Sequence, residues 1–454
     1  METTPTICSY IEDYMKKRGH KLQHFSDITG INVGSLSGIL KGSRSMSMNQ
    51  LDQITSAMGL EKGYFYERYG VENFIESAPH WRRLEPFLYG CAELNKQECI
   101  RKIVVQVTDN RSYISELFRM AENLFSRGLN EAALVLYECV ADSEKYQHSE
   151  RLALCQYRIF LLLKTMSKLE NTNAAVKFEA YIDKLNEEVQ LDAIKDLANV
   201  YSTMHQWDKV YELAEELERR VDFLLKFQSK RPRNKKRISF YPLFTYKAYA
   251  NLLKANVSEV HKQYMQALRY TDIYVDLMEE VNDPTKEEKE LIERFKGWAE
   301  GNRCLYKLLS GDFKVLGTYL DYLDDNPKEI LTAFVYIVQA ANKYLFNIDC
   351  ALDRFSTYIN QIRTDNHVKG TYNKQALNYR YMRLFFELAK YRLNQKKFRH
   401  GIELLIVSLQ RSSLSKDDIM CIQCIDLYGK YRAHASKDQE EQYKNLVESL
   451  SSKI

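Results

Sequence analysis

The side chains whose type and spacing could do chemistry here are amides, hydroxyls and cations, with no nucleophile paired to a base. One group sits in the stretch Leu22 to Gly42, read as two short helices around a tight turn. Leu36, Ile39 and Leu40 recur at helical spacing and bury one face of the second helix. That leaves Val33, Gly34, Ser35, Ser37, Gly38 and Lys41 facing outward, a surface shaped for a DNA major groove. Expected DNA contacts are Lys21, Gln23, Asn32, Val33, Ser35, Ser37, Lys41 and Arg44. A second group is a series of Asn residues inside predicted helices: Asn199, Asn251, Asn302, Asn342 and Asn378. Asn forms helices only moderately well, yet its amide can both donate to and accept from a peptide backbone. Lys247, Arg303, Arg380 and Arg383 lie near these positions and suit a carboxylate or a chain terminus.

Enzyme chemistry lacks its usual constellations. No Gly-rich phosphate loop, His-Glu-x-x-His or Gly-x-Ser-x-Gly occurs, so no catalytic residue and no cofactor is expected. Cys421-Ile-Gln-Cys424 has no second pair or nearby His to complete a metal site, and reads as two partly buried small side chains. His205 and His400 fall at expected hairpin turns, and no motif around them points to chemistry. The basic run at 230–237 reads as a solvated connection, with an auxiliary contact to DNA or an acidic partner as the alternative.

The elements that must position these residues are helical. With 17 Gly and 7 Pro against 32 Tyr and 20 Phe among 454 residues, turn formers are scarce and packing side chains plentiful, which predicts an all-α chain. A formal charge of +4 is small for this length, so any nucleic-acid affinity must come from a local patch. Nine unpaired-looking Cys, no leader-like N-terminus and no long apolar run point to a reducing cytoplasm and no membrane. Residues 6–18 form a first helix with Ile7, Tyr10, Ile11 and Tyr14 on one stripe, ending at Gly19. In the first motif helix, Phe25 and Ile28 share a face, Gly30 supplies the left-handed turn, and Asn32 caps the second. Ser47 to Gln50 has the form of a capping box ahead of Leu51, Ile54 and Met58, and a last helix over 61–69 closes a five-helix domain.

Arg18-Gly19, Gly30-Ile31-Asn32, Leu36, Ile39, Gly42, Leu51, Ile54 and the Met-Gly-Leu of 58–60 fall in register on the Cro/repressor-type (XRE) pattern. Residues 5–69 therefore resemble that family of DNA-binding domains. Leu22 stands where the family usually has a Gln, and the outward face carries small residues in place of Arg or Gln readers. Within 14–51, Lys16, Lys17, Arg18, Lys21, Lys41 and Arg44 meet only Asp27 as an acid, as phosphate contacts require. Shape and phosphate contacts are then expected to discriminate more than base edges.

From Val71 onward, pairs of amphipathic helices repeat, the mark of a solenoid over 71–454. Residues 192–219, with Leu197, Ala198, Tyr201, Trp207, Leu213 and Ala214, resemble a tetratricopeptide (TPR) hairpin. Further pairs are expected at 72–108, 113–145, 150–185, 241–275, 293–323, 329–362 and 376–409, with 416–450 as a cap, about nine hairpins in all.

An XRE-type domain joined to degenerate TPR repeats resembles the RRNPP group of peptide-pheromone receptors, which includes the phage arbitrium receptors and related Gram-positive quorum-sensing regulators. That resemblance implies a cytoplasmic transcription regulator, dimeric through its TPR domain, that binds a short signalling peptide with groove Asn residues and a two-half-site DNA operator. A peptide that changes dimer geometry would then alter operator binding. The alternative is a regulator whose repeats bind a protein partner, such as an antirepressor, a polymerase subunit or a response regulator. A phosphatase borrowed from TPR relatives finds no acid/base constellation here.

Overall fold

Cap chemistry sets where the first helices begin and end. In a computed structural model that describes residues 5–76, 79–108, 110–147, 149–163, 168–228, 240–364, 374–415 and 417–451, α1 (Ile7–Arg18) starts on Thr6. The Thr6 hydroxyl accepts from the Ser9 amide, and the helix stops at left-handed Gly19. The next helices are α2 (Leu22–Thr29), α3 (Val33–Leu40) and α4 (Met48–Ala57), the last opened by a complete Ser47/Gln50 capping box. The helix expected over 61–69 is shorter: α5 spans Tyr66–Gly70, because Gly63 at φ +85° falls inside the expected span and breaks it.

Seven more helices complete a first compact unit: α6 (Trp81–Glu93), α7 (Gln97–Val107), α8 (Ile114–Ser126), α9 (Asn130–Glu144), α10 (Glu150–Leu163), α11 (Lys168–Glu179) and α12 (Glu187–Thr203). Contacts do not thin at residue 70, where a domain boundary was expected. One hydrophobic cluster runs from Ile7 to Ile159. Tyr66 and Tyr69 are fully buried; Tyr69 packs on Phe87 of α6 and donates to the Met46 carbonyl at 2.8 Å. Gly90 lets α6 approach, since a Cβ there would lie 2.9 Å from the Tyr66 hydroxyl. The helices following Gly70 thus form a base for the first five.

The second unit holds α13 (Trp207–Gln228), α14 (Leu243–Val260), α15 (Tyr264–Glu279), α16 (Lys286–Ser310), α17 (Leu316–Asp325), α18 (Ile330–Tyr344), α19 (Asp349–Arg354), α20 (Ser356–Thr364), α21 (Lys374–Asn394), α22 (Phe398–Ser415), α23 (Asp418–Tyr431) and α24 (Lys437–Ser451). Helices pair as hairpins, and their first members pack in a row: α14 on α16, α16 on α18, α18 on α21, α21 on α23. The chain is all-α, with paired helices where repeats were expected. Two details differ. The pair expected at 192–219 is divided between the units, and the second helix expected within 329–362 is broken at buried Phe355, which packs edge-on against Phe334.

One left-handed residue sits at many hairpin turns: Asn95, Gly128, His205, Lys262, Gly311, Leu345 and Lys396. For an L-residue that backbone costs about 1–2 kcal/mol. Leu345 is the most wasteful case, at φ +56° with its side chain 79% exposed. Leu345→Gly is expected to raise stability by about 1 kcal/mol in urea unfolding, whereas Leu345→Ala, which keeps the strain, gives no gain.

Candidate functional site

The α2–turn–α3 segment is held by hydroxyls as much as by apolar packing. Gly30 closes α2 at φ +70°, and Asn32 Oδ1 caps α3 by accepting from the Ser35 amide at 2.8 Å. Ser26 donates to the Ile31 carbonyl at 2.5 Å and Thr29 to the Phe25 carbonyl at 2.8 Å. Ser26 and Thr29 are buried beside Phe25, where Ser26 supplies the turn carbonyl of Ile31 with a donor, and Ile28 is 45% exposed, off the buried face.

The expected outward face of α3 needs one correction. Ser35 is buried, because it lies four residues before Ile39 and shares its stripe. Its hydroxyl accepts from the Arg44 guanidinium at 2.8 Å, so Arg44 ties α3 to the following turn. Asn32 and Lys41 are exposed, and Val33 and Ser37 half-exposed. Lys21 and Gln23 are exposed at the start of α2, where Gln23 donates to Asp27 at 3.2 Å. Leu22 packs on the core where the XRE pattern has a Gln.

Acidic side chains are scarce on this surface, Asp27 being the one carboxylate within 14–51. Lys16, Lys17, Arg18, Lys21, Lys41 and Arg44 are exposed, and none forms an ion pair with a described carboxylate. Elsewhere some cations are matched, as in Arg158–Glu122, Lys254–Glu218, Arg303–Asp272, Arg354–Asp324 and Arg392–Asp349, and others, Lys262, Arg269 and Lys343 among them, are not. Six unmatched cations around a two-helix turn form a patch suited to a polyanion. Beside it, the His20 and His24 rings meet edge-to-face with centroids 4.6 Å apart.

The five Asn residues lie on α12, α14, α16, α18 and α21, each the first helix of its expected pair. Three of them are already bonded within the fold. Asn199 is half-buried on α12, in the first unit, while the other four belong to the second. Asn251 is buried, its amide donating to Glu218 Oε1 at 3.1 Å and to the Lys247 carbonyl at 3.0 Å. Asn302 donates to the Tyr274 hydroxyl, and Asn342 donates to both the Glu387 carbonyl and its carboxylate at 2.9 Å. Asn378 is exposed. Lys247 pairs with Asp222 at 2.7 Å and Arg303 with Asp272. Arg380 is half-buried, and Arg383 donates to Tyr379 and to the Gln339 amide oxygen.

Sequence reasoning missed a polar seam between α13 and α14. Lys254, buried, reaches Glu218 at 2.7 Å and Glu215 at 3.9 Å, with its Nζ over the Tyr211 and Tyr270 rings. Lys247, Asn251, Lys254 and Ser258 form one stripe of α14, and the i, i+4, i+7, i+11 spacing was the available signal. Glu259, next along α14, has its carboxyl pushed up to about 7 by burial, against the opposing effects of Tyr336 and Arg383.

Cys421 and Cys424 are buried on α23; Cys424 donates to Ser408, and burial pushes its thiol up to about 12. Among the described residues no three His, Cys, Asp or Glu side chains are grouped to hold a metal ion. Among them, too, no helix is long and apolar enough to cross a membrane. The basic run at 230–237 lies outside the described residues. No family model matches the chain, and no curated protein matches it either.

Proposed function

We propose that the chain is a DNA-binding transcription regulator that acts as a homodimer and takes a short signalling peptide on its helical repeats. The observation that carries the DNA half is the set of six exposed, unmatched cations around the α2–α3 turn. Each would release counterions on meeting phosphate, and no internal carboxylate has to be displaced first. The capped start of α3 offers Asn32, Val33 and Ser37 to base edges. Support for peptide binding comes from the XRE-plus-TPR resemblance and from the row in which the first helices α14, α16, α18, α21 and α23 pack.

Selection from a randomised duplex pool by the purified full chain tests DNA binding. The expected result is enrichment of a two-fold sequence whose half-sites are centred one turn, about 10–10.5 base pairs, or a multiple apart. A pool that stays unenriched after repeated rounds at low salt overturns the proposal.

A further inference from the structure

A cavity of about 1040 Å³ opens at the edge of the second unit where hairpin turns line up. This is at the upper end of pocket sizes for small ligands, about 300–1,000 Å³. None of the Asn residues of the repeats lines it. The start of α13 brings Asp208, Tyr211 and Glu212; the α14–α15 turn brings Lys262; α15 adds Tyr264, Met265, Arg269 and Tyr270. On the other side α18 ends there with Lys343 and Tyr344.

Two features define what fits. First, charge is divided by element. Acids come from α13, whereas Lys262, Arg269 and Lys343 come from α14–α15 and α18, and none of these three cations pairs with a described carboxylate. Packing puts α13 on α14, α14 on α16 and α16 on α18, so the acid-bearing helix and the Lys343-bearing helix stand at opposite ends of that row. A simple anion would meet Asp208 and Glu212, and a simple cation would meet Lys343. A molecule with opposite charges at its two ends satisfies both.

Second, the walls are amphipathic. Lys343 Nζ lies 4.4 Å from the Tyr344 ring centre and 5.8 Å from that of Tyr264, and Met265 is 66% exposed at the rim. The Tyr211 and Tyr270 hydroxyls meet at 3.3 Å on the inner wall. Such a lining gives apolar contact between hydrogen-bonding groups.

We infer that this edge cavity binds a short peptide with free termini, its ammonium against Asp208 and Glu212 and its carboxylate against Lys343. The inference rests on peptide sensing as proposed above and moves the site from the Asn series to the hairpin edge. Three interaxial steps of about 8–10 Å separate α13 from α18, a span of roughly 24–30 Å that about seven to nine extended residues cover. An apolar residue near the carboxylate end would lie against Met265 and Tyr264.

The test uses a synthetic octapeptide library with free termini and the same library acetylated and amidated, each passed over the immobilised full chain and read by mass spectrometry. Free-ended peptides are expected to be retained at least tenfold more than blocked ones, and Lys343→Glu and Asp208→Lys each to abolish the difference. Both positions are exposed, and unchanged thermal melts establish that the variants are folded. If Lys343→Glu melts early, Lys343→Met replaces it with the same expected loss. Equal retention of blocked peptides, or wild-type retention by the folded variants, overturns the edge site while leaving peptide sensing intact. Retention of neither library overturns both.

Discussion

Glu218→Ala is expected to destabilise the second unit by about 3 kcal/mol, the cost of leaving a buried charge without its partner. Lys254 is 7% exposed and has Glu218 at 2.7 Å; its other carboxylate, Glu215, stands at 3.9 Å and is itself largely exposed. Removing Glu218 also strips an acceptor from Asn251, which is 2% exposed. Two buried donors therefore lose satisfaction through one substitution, and both lie at the packed face of α13 and α14. Guanidinium unfolding of the full chain measures this, following the lower transition if the two units unfold separately. A companion variant isolates the cause. Replacing Glu218 and Lys254 together with Leu and Met should recover the part of the loss that comes from the bare ammonium, because the charge leaves with its partner, while the part from Asn251, still without its Glu218 acceptor, remains. If Glu218→Ala alone costs under about 1 kcal/mol, the seam behaves as a solvated surface pair.

This seam changes what a mutation of Asn251 can report. Its amide is an internal strut, so Asn251→Ala would perturb the α13–α14 packing whether or not a peptide binds there. Asn342 has the same character, bridging α18 to Glu387 of α21. Exposed cavity residues such as Lys343 and Asp208 separate binding from folding more cleanly.

What was legible in the sequence is what is local. Gly19, Gly30, Asn32 and the Ser47/Gln50 box act within a few residues, and each caps or ends a helix where its type predicts. The alternation of helix pairs was legible for the same reason. Ser35 was misjudged because a polar residue on a buried stripe looks outward until its partner, Arg44, is known. Glu218 and Lys254 are 36 positions apart, and nothing in either neighbourhood announces the other. The edge cavity was invisible because it is assembled from five separate helices and a turn. The left-handed turns at His205, Lys262, Leu345 and Lys396 escaped notice since only Gly or Asn advertises that backbone.

Lys21→Ala combined with Lys41→Ala should weaken DNA binding at least tenfold near 0.1 M salt and flatten its salt dependence. Lys21 is the N-cap residue of α2 and makes no side-chain cap, so the free amides of the first turn and the ammonium point to the same anion. Lys41 closes α3 at its other end, exposed and without an ion partner. A homodimer carries four such lysines, and each phosphate contact contributes about 0.9 to the slope of log K against log salt. The slope should therefore fall in magnitude by about 3–4. Arg44 is left intact because it holds Ser35, and its loss would mix folding with binding. Lys437→Ala with Lys444→Ala, on α24 of the second unit, removes the same net charge and serves as the control. Fluorescence anisotropy over a salt series on one selected duplex separates the cases. If both double variants lose the same affinity and slope, attraction comes from overall charge and the α2–α3 surface is not the docking face. If only the first does, the slope counts the phosphates that Lys21 and Lys41 hold, and base reading falls to the small residues between them.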